Sequence, residues 1–312
     1  MAETFPAAAL PTLTPGGDRA GVAAGIAAWI TSPAMTALLG AFGCPPSRTA
    51  PLGDRLAEVE LFSEVWDSRK GLERHQATAR VFPSDLDKLI RAAAVSLGLA
   101  DQEKPLHDTY DHVLVLGGGV LTMVARSALA ASILQAGVSA ATVAGLGSLR
   151  PLENQEETAR RLGLRPCPTE GDAVDEALRQ QLKLGEPTER AAGPDWWVRS
   201  YPEATPVVHV LAAPSTRPGK RANTADTYLG WAELVQPAPR GSRVLLVTTD
   251  LFVPFQHCDA LRVLGLGYGL DVETVGFSRA TSAWVKPAQT SEVLQEVRSA
   301  IMSMRALYLA LD

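Results

Sequence analysis

The chain has 312 residues and a formal net charge of −5, with 46% hydrophobic and 20% charged residues, the balance of an ordinary globular protein with room for one α/β domain and a smaller lobe. The acidic excess argues against nucleic acid or an anionic membrane as the main partner and leaves a small-molecule ligand. Three widely separated cysteines, Cys44, Cys167 and Cys258, offer neither a disulfide framework nor a zinc spacing, and they point to a reducing compartment.

Residues 1–17 read as a mobile Pro- and Gly-rich lead without a basic n-region. The apolar stretch Ala20 to Ile30 is mostly Ala and Gly and too short to span a bilayer, so a cytoplasmic protein is expected. Helical spacing follows over 22–39, 51–66 and 83–97, the last opened by Ser84 and Asp87 as an N-cap signal. These segments predict a helical N-terminal lobe over residues 1–105.

From there the pattern alternates. Strands are predicted over 112–116, 140–146, 207–212, 243–248 and 270–276. Helices are predicted over 122–135, 153–162, 172–184, 224–234, 256–264 and 291–309. Strands separated by helices of this length mean βαβ units. The expected fold over 106–312 is therefore a doubly wound, mainly parallel, Rossmann-like α/β sheet. Residues 185–205, with Pro187, Pro194, Pro202 and Trp196-Trp197, read as an irregular excursion that can cap the site.

Such sheets bind ligands at the carboxyl ends of their strands. The first predicted strand stops at Gly117-Gly118-Gly119, where backbone amides can approach a carboxylate or phosphate, or simply make a tight turn. The second ends in Gly147-Ser148-Leu149-Arg150; Arg150 suits a bidentate anion contact or a surface position beside a helix start. After the third strand comes a loop with Arg217, Lys220 and Arg221, then Asn223, Thr224 and Asp226, which fit either ligand contact or a helix cap. The fourth hands Thr248, Thr249 and Asp250 to the same edge. His257, Cys258 and Asp259 are neighbours on a helix and point in different directions, so they form no triad.

Taken in order, these strand ends resemble the SanA/ElyC/YdcF-like family. The residues that carry the resemblance are Leu116-Gly117-Gly118, then Gly145-Leu146-Gly147-Ser148, then Thr169-Glu170 ahead of a helix. Asn223-Thr224-Ala225-Asp226-Thr227 and Val247-Thr248-Thr249-Asp250 complete the series, and the match spans roughly residues 110 to 280. The family's His and Arg fall on Phe252 and Phe255, unless His257 substitutes from one turn later. The likeness is to the soluble YdcF type, and it implies an adenosyl or nucleotide ligand, with S-adenosylmethionine as the cofactor; no metal is expected, since no metal-ligand spacing is present in the sequence.

Two functions from different classes follow. In the first, a transferase-like enzyme holds an anionic group with the amides of Gly117, Gly118 and Gly119 and with Arg150. Gly147, Ser148, Asn223, Thr224, Thr248 and Thr249 line the ligand, Asp226 or Asp250 meets ribose, and Asp250 or His257 serves catalysis. In the second, the protein binds or regulates without turnover, since Phe252 and Phe255 replace reactive groups. A hydrolase using Asp250 or His257 is a third, weaker alternative.

Overall fold

A computed structural model describes residues 4–13, 17–44, 49–70, 80–100, 103–235 and 238–312. Its centre is β1 (Thr109–Leu116), whose residues from His112 to Leu116 are all buried. An apolar, β-branched run buried on both faces belongs in the middle of a parallel sheet. Beside it lie β2 (Ser139–Ser148) and β6 (Arg243–Thr249), both parallel to it. Next to β2 comes β5 (Val207–Ala213), and next to β6 comes β7 (Asp271–Phe277), again parallel. With β3 (Glu189–Ala192) and β4 (Trp197–Tyr201), the seven-stranded order is β3-β4-β5-β2-β1-β6-β7. The protein is thus an α/β fold with helices on both faces of a mainly parallel sheet.

Side chains alternate between the two faces, as strand geometry requires. Val113, Val115, Val143, Val210, Leu245 and Val247 pack under α5 (Val120–Gln135) and α7 (Glu170–Leu182), with the short α6 (Glu156–Arg161) between those helices in the chain. Leu114, Leu116, Leu146, Leu211 and Leu246 face the other way. That side is covered by α8 (Thr224–Gly230), α9 (Val253–Ala260) and the long α11 (Thr290–Leu309), with α10 (Leu266–Tyr268) a single turn before β7.

The N-terminal lobe consists of α1 (Arg19–Ile30), α2 (Pro33–Ala41), α3 (Leu52–Phe62) and α4 (Ser84–Ser96). Its buried Ile26, Leu38, Leu56 and Ile90 join the same continuous core as Leu114 and Leu246, with α11 at the seam. Lobe and sheet therefore share one core. Among the described residues no single helix is long and apolar enough to cross a membrane; α1 and α2 reach that length only together and are bent by 45°.

Three sequence expectations are corrected. The segment 185–205 is not an irregular excursion: it holds β3 (Glu189–Ala192) and β4 (Trp197–Tyr201), which extend the sheet antiparallel beyond β5. The prolines fall outside these two short strands, and Trp197 closes on the sheet rather than over a ligand. The lead is held down wherever it is described, while residues 1–3 and 14–16 lie outside the described residues. The Ala8 amide donates to Ser96 O at 2.8 Å, Ser96 Oγ donates to Pro6 O at 2.6 Å, and Leu13 is buried. Ser84 does not cap α4, which begins after Pro83 without a side-chain cap; Asp87 is bound to Arg91 and Thr290 instead.

Candidate functional site

From β1 the chain moves through α5 to β2 on one side, and from β6 through α9 to β7 on the other. The carboxyl ends of β1 and β6 are therefore the topological switch point, where such sheets open a crevice. At the end of β1, a Cβ on Gly117 would lie 2.6 Å from Leu146 O and 3.0 Å from the Glu170 carboxylate, so only glycine fits. Gly119 precedes α5 and offers no capping side chain. The first amide of the helix, on Val120, instead donates to Gln155 Oε1 at 2.8 Å, from the loop after β2.

Arg126 enters the crevice from α5, since helical side chains lean toward the N-terminus. Its guanidinium donates to Leu116 O at 2.8 Å and to Gly117 O. It also donates to Thr249 Oγ1, from Nε at 3.3 Å and from the terminal nitrogen at 3.2 Å. The Phe252 ring lies 5.7 Å away. Only 1% of Arg126 is exposed, so a cation is locked between the two strand ends. It satisfies the last carbonyl of β1 and the first of the glycine turn.

The loop after β2 is tied to this turn. Arg150 donates to Gly118 O at 3.1 Å and to Glu170 Oε1 at 3.0 Å, while Ser148 Oγ donates to Glu170 Oε2 at 2.6 Å. Glu170 stands in the first turn of α7, whose N-terminus is fixed by a reciprocal Thr169–Asp172 capping box. A Cβ on Gly147 would sit 2.7 Å from Gly171 Cα. Gly147 is therefore needed for α7 to approach β2, not for a ligand.

At β5 and α8 the capping explanation prevails. Asn223 Oδ1 accepts from the Asp226 amide at 3.0 Å, and Asp226 Oδ2 accepts from the Asn223 amide at 2.8 Å. Asp226 Oδ1 further accepts from Thr216 Oγ1 at 2.5 Å and from the Thr216 amide at 3.2 Å, with Arg217 at 3.5 Å from the second oxygen. Burial alone would push this carboxyl up, but the Thr216 and Asn223 donors and Arg217 outweigh it and hold it below its ordinary value. Asn223 and Asp226 are occupied by their own helix. The carbonyl of Thr224 accepts from Thr227 Oγ1 at 2.8 Å within the same turn.

The end of β6 splits its three residues. Thr249 meets Arg126, whereas Thr248 points to the opposite face and donates to Gln256 Oε1. Asp250 accepts from the Leu251 amide at 2.6 Å and from the Arg279 amide at 3.2 Å. Burial pushes its carboxyl up to about 6, against those amides, Ser278 and the Arg279 charge. His257 lies elsewhere: Nδ1 pairs with Thr274 Oγ1 at 3.0 Å and Nε2 with Pro11 O at 2.9 Å, and burial lowers its pKa. A neutral imidazole with both nitrogens engaged pins the N-terminal segment and does not reach the switch point. Cys258 is buried, with its thiol pushed up, as expected of a packing residue.

The structure thus gathers Gly117, Gly118, Gly119, Ser148, Arg150, Thr249 and Asp250 at one edge. It sets apart His257, Thr248, Gly147, Asn223 and Asp226. Sequence reasoning missed Arg126 and Gln155 as parts of this edge, and Thr169-Glu170 enters it only through the family resemblance. Among the described residues no group of three His, Cys, Asp or Glu side chains is arranged to hold a metal ion. A cavity of about 210 Å³ lies away from this edge, on the outer face of α7, lined by ion-paired groups including Arg165, Glu176 and Arg199.

Residues 13–98 match the Rv3785 N-terminal domain family, which covers the helical lobe. Over nearly its whole length the chain is similar to an uncharacterized protein of Mycobacterium tuberculosis, 29% identical across 95% of this chain and 92% of the relative. An uncharacterized protein of Mycobacterium bovis matches to the same extent, 29% identical with the same coverage of both chains. No solved structure matches.

Proposed function

We propose that this protein binds a small nucleotide-like ligand across the carboxyl ends of β1, β2 and β6, and that Asp250 supplies its acid–base chemistry. The observation that carries the proposal is Arg126, a buried guanidinium set between the two switch-point strands. It takes the carbonyls of Leu116 and Gly117 to itself beside a half-buried Gly117–Gly119 turn. Asp250 stands at the end of the neighbouring strand with a carboxyl raised to about 6, near the operating pH of a general acid or base. A reducing cytoplasm suits the three free thiols.

S-adenosylmethionine, which the family resemblance suggests, fits this edge only in part. Arg150 and the turn suit its carboxylate. Its sulfonium would face cations, and Asp226, expected at the ribose, is bound to its own helix start.

A binding-only function is the second possibility. Phe252 and Phe255, in the places of the family's His and Arg, lie 5.8 Å apart as a ring pair with Phe252 against Arg126. That arrangement is packed rather than reactive.

The test is calorimetric titration of the full chain with adenosine, ADP and S-adenosylmethionine, repeated on Arg150→Ala. Binding of at least one ligand, weakened about tenfold in the variant, supports the placement. Unchanged affinity in the variant removes the ligand from this edge. Turnover of a bound ligand that disappears in Asp250→Asn, with affinity kept, separates enzyme from binder.

A further inference from the structure

We infer that Arg279 is the positioning residue for Asp250, and that Glu292 sets how much of the Arg279 charge this carboxyl feels. The inference rests on the proposed acid–base role of Asp250 and names the device that regulates it. Apart from the adjacent Leu251 amide, the groups that favour the Asp250 charge all come from the loop between β7 and α11. They are the Ser278 hydroxyl, the Arg279 amide at 3.2 Å and the Arg279 charge. The root of this loop is fixed against the carboxyl. A Cβ on Gly276, near the end of β7, would lie 2.4 Å from the Asp250 nitrogen, so the two segments meet at backbone distance.

Arg279 is held on two sides. Its Nε donates to Lys286 O at 2.9 Å, which closes the loop on itself, and its two terminal nitrogens donate to the two Glu292 oxygens at 3.3 Å each. The pair is two-pronged and mostly out of water, with the Arg279 side chain 12% exposed. Glu292 also accepts from the Gln289 amide at 2.8 Å, as the third residue of α11. The start of that helix therefore fixes the cation that Asp250 feels. Other charged groups around this turn are bound elsewhere. Glu103 accepts from the Ser278 amide, Arg126 bonds to Thr249 one residue earlier, and His257, Asp259 and Glu296 pair with Pro11 O, Arg262 and Arg69. A guanidinium held in a balanced pair offers little net charge, and burial wins at Asp250. Removing the cation should make Asp250 hold its proton more tightly, and removing the anion less tightly.

The experiment follows the Asp250 carboxyl by carbon-13 NMR of the full chain with labelled aspartate, its signal assigned by its loss in Asp250→Asn. Titration midpoints are compared for wild type, Arg279→Gln, Glu292→Gln and the double variant. Each glutamine keeps the backbone amides, and a glutamine at position 292 still completes the helix cap. The midpoint should rise in Arg279→Gln and fall in Glu292→Gln, each by about tenfold in proton affinity, and return close to wild type in the double variant. Arg279→Lys, which keeps the charge, should stay near wild type. Shifts of the same sign in both single variants mean a loosened loop that admits water, and they overturn the inference. A midpoint that does not move overturns it too, as does Arg279→Lys behaving like Arg279→Gln. Midpoints that move as expected while Asp250→Asn leaves turnover intact support the coupling and overturn the acid–base role. Fixed midpoints with turnover lost in Asp250→Asn overturn the coupling alone.

Discussion

Helices α8 and α5 both start at the carboxyl edge of the sheet, from strands two apart, and they satisfy their first amides in different ways. At α8 the chain supplies its own cap, with Asn223 and Asp226 in a reciprocal box and Thr216 donating twice into the same carboxylate. At α5 the residue before the helix is Gly119, and the Val120 amide borrows an oxygen from Gln155 on another loop. A closed box leaves nothing for an outside group to take. A borrowed neutral cap can be displaced by an anion, which the helix dipole prefers. The two edge carboxyls show the same contrast: at Asp226 the donors outweigh burial and hold it low, and at Asp250 burial outweighs the donors and holds it high.

The largest effect should come from the turn itself. Gly117→Ala forces a Cβ to within 2.6 Å of the Leu146 carbonyl oxygen, which belongs to β2 and cannot yield. Gly118→Ala places it 3.2 Å from the Thr122 methyl, which can rotate away. Urea unfolding should show about 3 kcal/mol lost in the first variant and under about 1 kcal/mol in the second. Equal losses would mean that the β1 turn is no tighter at one glycine than at the next.

Breaking the closed cap should come second. Asp226→Ala leaves the Asn223 and Thr216 amides without their acceptor, and we expect about 2 kcal/mol lost, well beyond Asp226→Asn, which keeps one acceptor oxygen. An alanine variant as stable as wild type would show that the box is ornamental, and Asp226 would again be available to a ligand.

The two carboxyls also predict opposite dependences on pH. Asp250 has a raised folded value, so between about pH 4 and 6 the native state holds a proton that the unfolded chain has released. Stability falls as pH rises through that window, by about 3 kcal/mol if this carboxyl acts alone. Asp250→Asn escapes that loss, so its melting temperature should gain on wild type from pH 4 to 7. Asp226 has a lowered folded value; its contribution is present above the unfolded value of about 4 and is lost as pH falls through the folded one. Asp226→Asn should therefore lag behind wild type at neutral pH and catch up in acid. Melting curves of both variants between pH 3 and 8 decide the matter, and two difference plots of the same slope would refute the contrast.

What the sequence shows and hides here follows the range of each interaction. The β1 run and its three glycines are local, so the strand, the turn and the edge were all legible. β3 and β4 were hidden because Pro187, Pro194 and Pro202 surround two strands of only four and five residues. Arg126 looks like one basic residue in an Ala-rich helix, and its partner Thr249 is 123 positions away. His257 was misjudged for the same reason: its place one turn after Phe252 suggests a substitute for the family's His, while the carbonyl that fixes it belongs to Pro11, 246 positions earlier. Asn223 and Asp226 carried a helix-start signal strong enough to explain them without a ligand, and that local explanation is the one the structure bears out.

Gln155 provides the smallest and sharpest test of the difference between α5 and α8. Gln155→Ala frees the Val120 amide to bond with water at a half-buried site, so the stability loss should stay below about 1 kcal/mol. Removing the internal acceptor should at the same time raise the affinity for ADP a few-fold, because the incoming anion no longer displaces an amide oxygen. Gln155→Glu keeps the reach of the side chain and adds a negative charge at the helix start, so it should stabilise the free protein slightly and weaken ADP. Opposite shifts in affinity for the two variants identify the cap as a competitor of the ligand. If Gln155→Ala weakens ADP instead, the side chain is a ligand contact, and α5 is capped for the ligand's benefit rather than in its place.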